Sequence, residues 1–585
     1  MKRILSLVLF LSVAAAAHAT TWYIRADGGD LTQCDGHTDA AYVAGMTTKA
    51  CGLNDYRLLA YPGGGNYVLA GAWKIAGGDT IRIHAGHYRL GYNGPNAGDH
   101  DGLANAGDPY ASAMPPIPSG TAANPTKIIG DDEATTQLYG GYGAGDVIDL
   151  STSSFVEISN LELTDHAQCT RIGAGFTAPV VGCKSDYPLD DYAGSGIVTG
   201  QGTHDVKLSY INIHGFVTDG IRGPIGGLVT MDHVRIAFNA SAGRDFDDGY
   251  GTPSINGSLV ASYLTVEGNG CNEEYPIVHT GFPAFSCFDQ SSGGYGDGIG
   301  TPNTPLNFSC DHCIFRYNTQ DGPDFDHTSG STYKMTNSAS YGNMGQQWKM
   351  GAMKSMFFQN NTTVHNCQRM LKPIAGNSTF MKYLSNTCRA AGDGFALGIS
   401  DDSTYVITNN SIAGYGATTY DILCSGTCSK PVITFQNNLS IGYTQPIAQG
   451  QTPGFVYTEL GYSPFVANDH NVTFQMRTCP AGGVCTDPHV ANEPTDAQVQ
   501  ADETVLDNID FHLTSASTNA KGQGTNGADI GAYGVASVVT PPPPGGGTTT
   551  PPPSGGGTVP PPSPFSISIN ITCTPNGTTY KCATK

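Results

Sequence analysis

Basic residues, tryptophan and long apolar runs are scarce in this chain of 585 residues, and each scarcity excludes something. Lys and Arg number 28 against 49 Asp and Glu, a formal net charge of -21 at pH 7. Such a chain lacks the basic surface that releases counterions from a phosphate backbone, so nucleic acid is not an expected partner. The same charge opposes a polyanionic sugar unless a bound cation or a local basic group reverses the field at the site. Lys, Glu and Leu are sparse while Gly, Asn, Ser, Thr and Tyr are abundant. That balance disfavours a helical protein and suits many short strands and turns. Beyond the first residues no apolar run is long enough to span a bilayer, so no membrane span is expected.

What is present begins with Lys2 and Arg3 ahead of the apolar run Ile4 to Ala17, then Ala17-His18-Ala19. This reads as a signal peptide over residues 1–19, with a secreted product, extracellular or periplasmic, starting near Thr20. Sixteen cysteines in an exported chain point to disulfides. Most fall into local couples: Cys34 with Cys51, Cys169 with Cys183, Cys271 with Cys287, Cys367 with Cys388, Cys424 with Cys428, Cys479 with Cys485 and Cys573 with Cys582. Cys310 and Cys313 form a CxxC, but no second CxxC or HExxH accompanies it.

An eight-residue phrase recurs from residue 159, with starts at 159, 209, 232, 262, 311, 336, 359, 382, 408 and 436. Typical members are SYINIHGF, DHVRIAFN, DHCIFRYN and QNNLSIGY. The spacing is 23 to 30 residues, apart from gaps of 50 and 49 that can each hold an extra coil or an insertion. Short β segments at this period, with no amphipathic helical pattern between them, predict an all-β parallel solenoid. Like positions of successive coils then stack roughly 4.8 Å apart. Asn239, Asn269, Asn318, Asn343 and Asn366, eighth in their phrases, are expected to form one structural column. The expected domains are an N-terminal cap over 20–77, the solenoid over 78–539, a Pro/Gly/Thr-rich linker over 540–564 and a disulfide-clasped hairpin tail over 565–585.

Six residues beyond each eighth position, a further column reads Arg222, Asp245, Tyr275, Asp324, Lys349, Lys372. Asp219, Asp248, Asp297, Asp321 and Asp393 each precede a glycine, and Asp297 and Asp321 lie 24 residues apart, one coil. Asp-Gly is ordinary turn chemistry, and Asp219 and Asp393 are read that way. Asp297, Asp321 and Asp324 differ, because carboxylates on adjacent coils repel unless something positive lies among them. An oxygen-only, carboxylate-rich set suits calcium.

The run NTQDGPDFD (318–326), followed by QQWKMGA (346–352), resembles the calcium site and catalytic-lysine segment of the family-nine polysaccharide lyases. These are secreted right-handed parallel β-helix enzymes of the pectate lyase superfamily that cleave pectate by β-elimination. FHLTSASTNAKGQGTNGADIGAYG (511–534) resembles the closing segment of such proteins. The resemblance implies Ca2+ as cofactor, Asp297, Asp321 and Asp324 as ligands and Lys349 as the base. Gln320 stands where the family has the first Asp of a pair, and an amide oxygen can take that place. Asp326 joins the expected ligand set, and Asp245, Asp248, Arg222, Arg369 and Trp348 the expected substrate contacts. Lys372, placed one coil beyond Lys349, is expected to help catalysis by lowering its pKa. Two cations roughly 5 Å apart repel by about 3 kcal/mol at an effective dielectric of about 20, equivalent to roughly two pKa units.

The expected function is that of a monomeric lyase acting on an acidic polysaccharide. Asp321 with Asp324, or Asp245 with Asp248, leaves a polygalacturonase-like hydrolase as the alternative. Asp326-His327 gives a weaker hint of an epimerase, and the tyrosines with the tail allow a carbohydrate-binding adhesin.

Overall fold

The computed structural model describes residues 19–60, 73–90, 115–140, 144–164, 193–216, 218–239, 241–246, 257–270, 296–300, 306–326, 330–351, 353–366, 393–444, 452–480, 483–532, 571–576 and 579–584. The chain divides into two compact units, Met1–Val539 and Thr540–Lys585.

The first unit is a parallel β-helix. One sheet of 22 strands and one of ten are built from parallel pairings between successive coils. One coil shows the plan. Leu306–Asp311 and Ile314–Arg316 lie in the large sheet, and Pro323–Phe325 lies in the ten-stranded sheet. The chain then returns to Thr332–Thr336, which pairs with Leu306–Asp311. Alternation along each strand fills the interior: in His204–His214, Val206, Leu208, Ile211 and Ile213 point inward and are buried.

The repeated phrase marks the bend between the two strands of the large sheet. Its second residue takes a left-handed conformation at His312, Asn337, Asn360, Asn409 and Asn437, with φ between 52° and 59°. Asparagine tolerates that region because its short side chain can bond locally. The expected column forms over four of its five members. Asn239 donates from Nδ2 to Asn269 Oδ1 at 3.0 Å, Asn269 to Asn318 at 3.0 Å, and Asn318 to Asn343 at 2.8 Å. Asn343 then turns to Gln347 Oε1 at 2.8 Å, while Asn366 donates to Asp507 of the C-terminal segment at 3.1 Å. A second ladder runs through Asn361, Asn410, Asn438 and Asn471, linked at 3.2, 3.0 and 3.2 Å.

Strand pairing decides what the spacing left open, and it corrects one phrase and the start of the stack. Ser154–Thr164 pairs directly with His204–His214, and Gly257–Ser262 with Leu306–Asp311, so both long gaps are insertions and not extra coils. Ser355–Gln359 pairs directly with Thr404–Thr408, so the phrase at 382–389 is not a member of the stack. Finally, Thr21–Gly29 pairs in parallel with Thr80–Ile83, so the stack begins inside the expected cap.

Disulfides join Cys34 to Cys51, Cys310 to Cys313, Cys424 to Cys428 and Cys479 to Cys485. The expected couples at 169 and 183, 271 and 287, and 367 and 388 lie outside the described residues, as does the linker. The helix Asp496–Ala501 and the residues after it pack outside the large sheet, where Val499, Leu506, Ile509 and Phe511 join Tyr415, Ile441 and Tyr443 in a second apolar cluster. In the second unit, Ile571–Asn576 and Thr579–Thr584 pair antiparallel, with Cys573 opposite Cys582 in the register. Among the described residues no helix is long and apolar enough to cross a membrane.

Candidate metal centre and catalytic lysine

The ten-stranded sheet carries the charged column. Its register reads Arg222, Asp245, Gly300, Asp324, Lys349, Ala396. Two expected members are displaced. Gly300 holds the place assigned to Tyr275, and Ala396 the place assigned to Lys372, because the intervening residues are insertions. The residue in register with Lys349 on the following coil is therefore an alanine. Lys372 itself, with Asp248 and Arg369, lies outside the described residues.

Three residues upstream, Asp219, Asp297 and Asp321 occupy equivalent places on their coils. Each carboxylate accepts from a backbone N–H of the next coil: Asp219 from Ala242 at 2.9 Å, Asp297 from Asp321 at 3.0 Å, and Asp321 from Gln346 at 2.6 Å. The following glycine answers a close approach. A Cβ on Gly298 would lie 2.8 Å from Gly322 O, and one on Gly322 would lie 2.4 Å from Gln347 O. Asp219 thus belongs to the wall of the coil and is not simply a turn residue.

The two columns converge at Asp297, Asp321 and Asp324, which offer oxygens all within 4.8 Å of one another. Their exposures are 2, 0 and 6 %. Lys349 Nζ lies 2.7 Å from Asp324 Oδ2, 3.0 Å from Asp326 Oδ2 and 3.5 Å from Asp321 Oδ2. One ammonium thus faces four carboxylates, a poor balance in a buried setting. Burial, then the charges of Asp324 and Asp321, push the Asp297 carboxyl well above the usual range. Burial and Asp321 push Asp324 up to about 7, with Lys349 pulling the other way. For Lys349 burial favours the neutral amine, but Asp324 and Asp321 outweigh it and hold the proton on.

The donor set fits a hard cation: oxygen ligands, buried, with more negative charge than Lys349 balances. Gln320, an expected ligand, precedes Asp321 in the chain. It is 4 % exposed, its N–H donates to Gly296 O, its carbonyl accepts from Gly345 N–H, and its side-chain oxygen has no hydrogen-bond partner among the described residues. A buried amide oxygen left over in this way is a ready ligand.

The remaining expected residues separate clearly. Asp245 borders the cluster, since a Cβ on Gly300 would lie 3.7 Å from both Asp245 Oδ1 and Asp297 Oδ2. The bare glycine leaves a notch between them. Arg222 is on the same column, 35 % exposed, and held by Asp146 through Nε at 3.1 Å and a terminal nitrogen at 3.2 Å. Asp146 was not legible as part of the site, being 76 residues from its partner in a coil before the recognised repeat. The expectation for Trp348 is overturned. It is fully buried, its indole N–H donates to Thr363 Oγ1 at 2.7 Å, and Phe315 and Phe358 pack edge-on against it. Alternation decides this: Lys349 faces outward, so its neighbours face the core.

No protein-family model and no curated protein sequence matches this chain. Solved structures similar to it include pectate lyase Pel9A, with 11% identity, coverage of 88% of this chain and 96% of that one, and a TM-score of 0.39. Another is the PL6 family polysaccharide lyase Pedsa3628 from Pseudopedobacter saltans, with 9% identity, coverage of 78% and 95%, and a TM-score of 0.38. A third is an alginate lyase from Paenibacillus sp. str. FPU-7, with 12% identity, coverage of 69% and 94%, and a TM-score of 0.30. At these values no chemistry carries over, and the residues of the column must carry it themselves.

Proposed function

We propose that this protein is a secreted, monomeric polysaccharide lyase that cleaves a uronate-containing chain, such as pectate, by calcium-assisted β-elimination. The observation that carries the proposal is a lysine set 2.7 Å from one member of a buried triple-aspartate cluster on an outward column of the solenoid. A net charge of -21 would otherwise repel an anionic sugar.

Asp297, Asp321 and Asp324, with the side-chain oxygen of Gln320, would hold the ion. The chemistry a bound calcium would supply there is neutralisation of a uronate carboxylate, which would make the adjacent C5 proton more acidic. The protein's own residues do the rest. Lys349 Nζ takes the C5 proton, the released electron pair forms the C4=C5 double bond, and the C4–O4 bond breaks as O4 takes a proton from solvent. This requires a neutral amine, hence Asp324 and Asp321, the charges that most hold its proton on, engaged with something other than Lys349. Asp245 and Arg222 continue the column on the upstream side, where they can contact neighbouring sugars.

A hydrolase reading draws on Asp324, whose carboxyl is raised to about 7 as a general acid requires. The ion pair with Lys349 weighs against it, because that side chain is already committed.

The test is incubation with polygalacturonate and other uronans, in calcium and in chelator, following the ultraviolet absorbance of the unsaturated product. The lyase predicts absorbance in calcium alone. Reducing-sugar release without absorbance favours the hydrolase, and binding without either favours an adhesin.

A further inference from the structure

Sequence spacing groups Asp326 with the metal ligands, but the geometry sets it apart. We propose that Asp326 is a positioning residue for Lys349, the seat that keeps Nζ beside the column when a cation draws Asp324 and Asp321 away. The inference rests on the cation site of the proposed function and adds a residue whose role that site does not explain.

Three observations support it. The convergent oxygens come from Asp297, Asp321 and Asp324, and Asp326 is not in that group. Its side chain is 28 % exposed, against 0 and 9 % for Asp321 and Asp324, so it lies toward the outer edge. Its Oδ2 nonetheless stands 3.0 Å from Lys349 Nζ.

Its placement is also enforced from two sides. Phe325 pairs in register with Met350, so Asp326 is level with Gly351 on the next coil. A Cβ on Gly351 would lie 2.2 Å from Asp326 O and 2.4 Å from Asp326 Cα, so only glycine lets the backbones approach this closely. Gly351 N–H donates to Phe325 O at 3.1 Å, and Asp326 N–H donates to Asp324 Oδ1 at 3.1 Å. The backbone of Asp326 is thereby held against the next coil at Gly351, a contact that no cation needs to disturb.

The physical need follows from competition. An ammonium 2.7 Å from Asp324 Oδ2 and a divalent ion on the same carboxylate repel one another. A lysine released from it recovers the rotamer freedom of four torsions and loses the near-attack geometry that general-base catalysis depends on. A single remaining carboxylate, outside the ligand group, preserves that geometry.

The experiment compares full-length wild type with Asp326→Asn, Asp326→Glu and Lys349→Met. Calcium binding is measured by calorimetry, Lys349 side-chain order by NMR of the calcium-loaded protein, and turnover on polygalacturonate by absorbance. Asp326→Asn should keep the calcium Kd within about threefold, mobilise the Lys349 side chain and lower kcat by roughly 10–100-fold at unchanged KM. Asp326→Glu should restore much of kcat. Lys349→Met should bind calcium about tenfold tighter, because the competing cation is gone. Loss of calcium affinity in Asp326→Asn by tenfold or more would make Asp326 a ligand and overturn the inference. An unchanged, ordered Lys349 in Asp326→Asn, or absence of calcium binding by wild type, would overturn it too. If wild type turns over no uronan, the lyase reading falls, while calorimetry and NMR still decide the role of Asp326.

Discussion

The asparagine ladders and the aspartate columns are built alike, one polar residue above another at the spacing of the coils, yet they differ in what they need. An amide carries both donor and acceptor, so Asn269, Asn318 and Asn343 satisfy one another at 3.0 and 2.8 Å while wholly buried. A carboxylate only accepts. Asp297 and Asp321 take what the backbone of the next coil offers, Asp324 accepts from the nearby Asp326 N–H, and Lys349 supplies the positive charge paired with Asp321 and Asp324. The ladder is complete within the protein, whereas under the proposed function a cation completes the aspartate cluster. On that proposal, stacking that serves stability in one column serves binding in the other.

The largest expected effect removes the base. Lys349→Ala should lower kcat on polygalacturonate by about 10³-fold, measured as unsaturated product, while calcium binding persists. Charge exchange between the columns comes next. Asn318→Asp should destabilise the protein by about 3 kcal/mol or more in urea unfolding, because it buries a charge whose neighbours are arranged for an amide. Asp297→Asn should do the reverse in chelator, raising stability by relieving repulsion, and should weaken calcium binding by roughly 10–100-fold. If both changes destabilise equally, the two columns do not differ as described. Asn318→Ala should cost about 2–3 kcal/mol through unpaired Asn269 and Asn343, with kcat of the folded protein unchanged.

The smallest effect is one of pH. The carboxyls of Asp297 and Asp324 are raised, so the metal-free folded protein holds protons that the unfolded chain has released. For Asp324 that window runs from the ordinary 3.8 to about 7. Stability in chelator should therefore fall as pH rises through it, by several degrees in Tm, and calcium should flatten the slope. A Tm in chelator that rises over the same range would contradict the sign.

Much of this was legible in the sequence because columns in a solenoid repeat at a readable spacing. The eight-residue phrase located the bend and four members of the first ladder, and DGPD with WKMG located Asp321, Asp324 and Lys349. The second ladder was missed, although the double asparagines at 360 and 361, 409 and 410, and 437 and 438 carry its signal. The first of each pair takes the left-handed bend and the second enters the ladder. What failed was counting across insertions. The segment between His365 and Asp393 is long enough to mimic a coil, and that misplaced Lys372. The partnership of Arg222 with Asp146 and the approach of Gly351 to Asp326 depend on backbone geometry that spacing does not encode.

The central claim is that the aspartate cluster holds a cation that its chemistry requires. It is tested most directly by titrating calcium from chelator to saturation while following, on the same preparation, occupancy by calorimetry and unsaturated product from polygalacturonate by absorbance. The account predicts that the two curves rise together from zero. Full turnover in chelator, or full occupancy without product on any uronan, would contradict it.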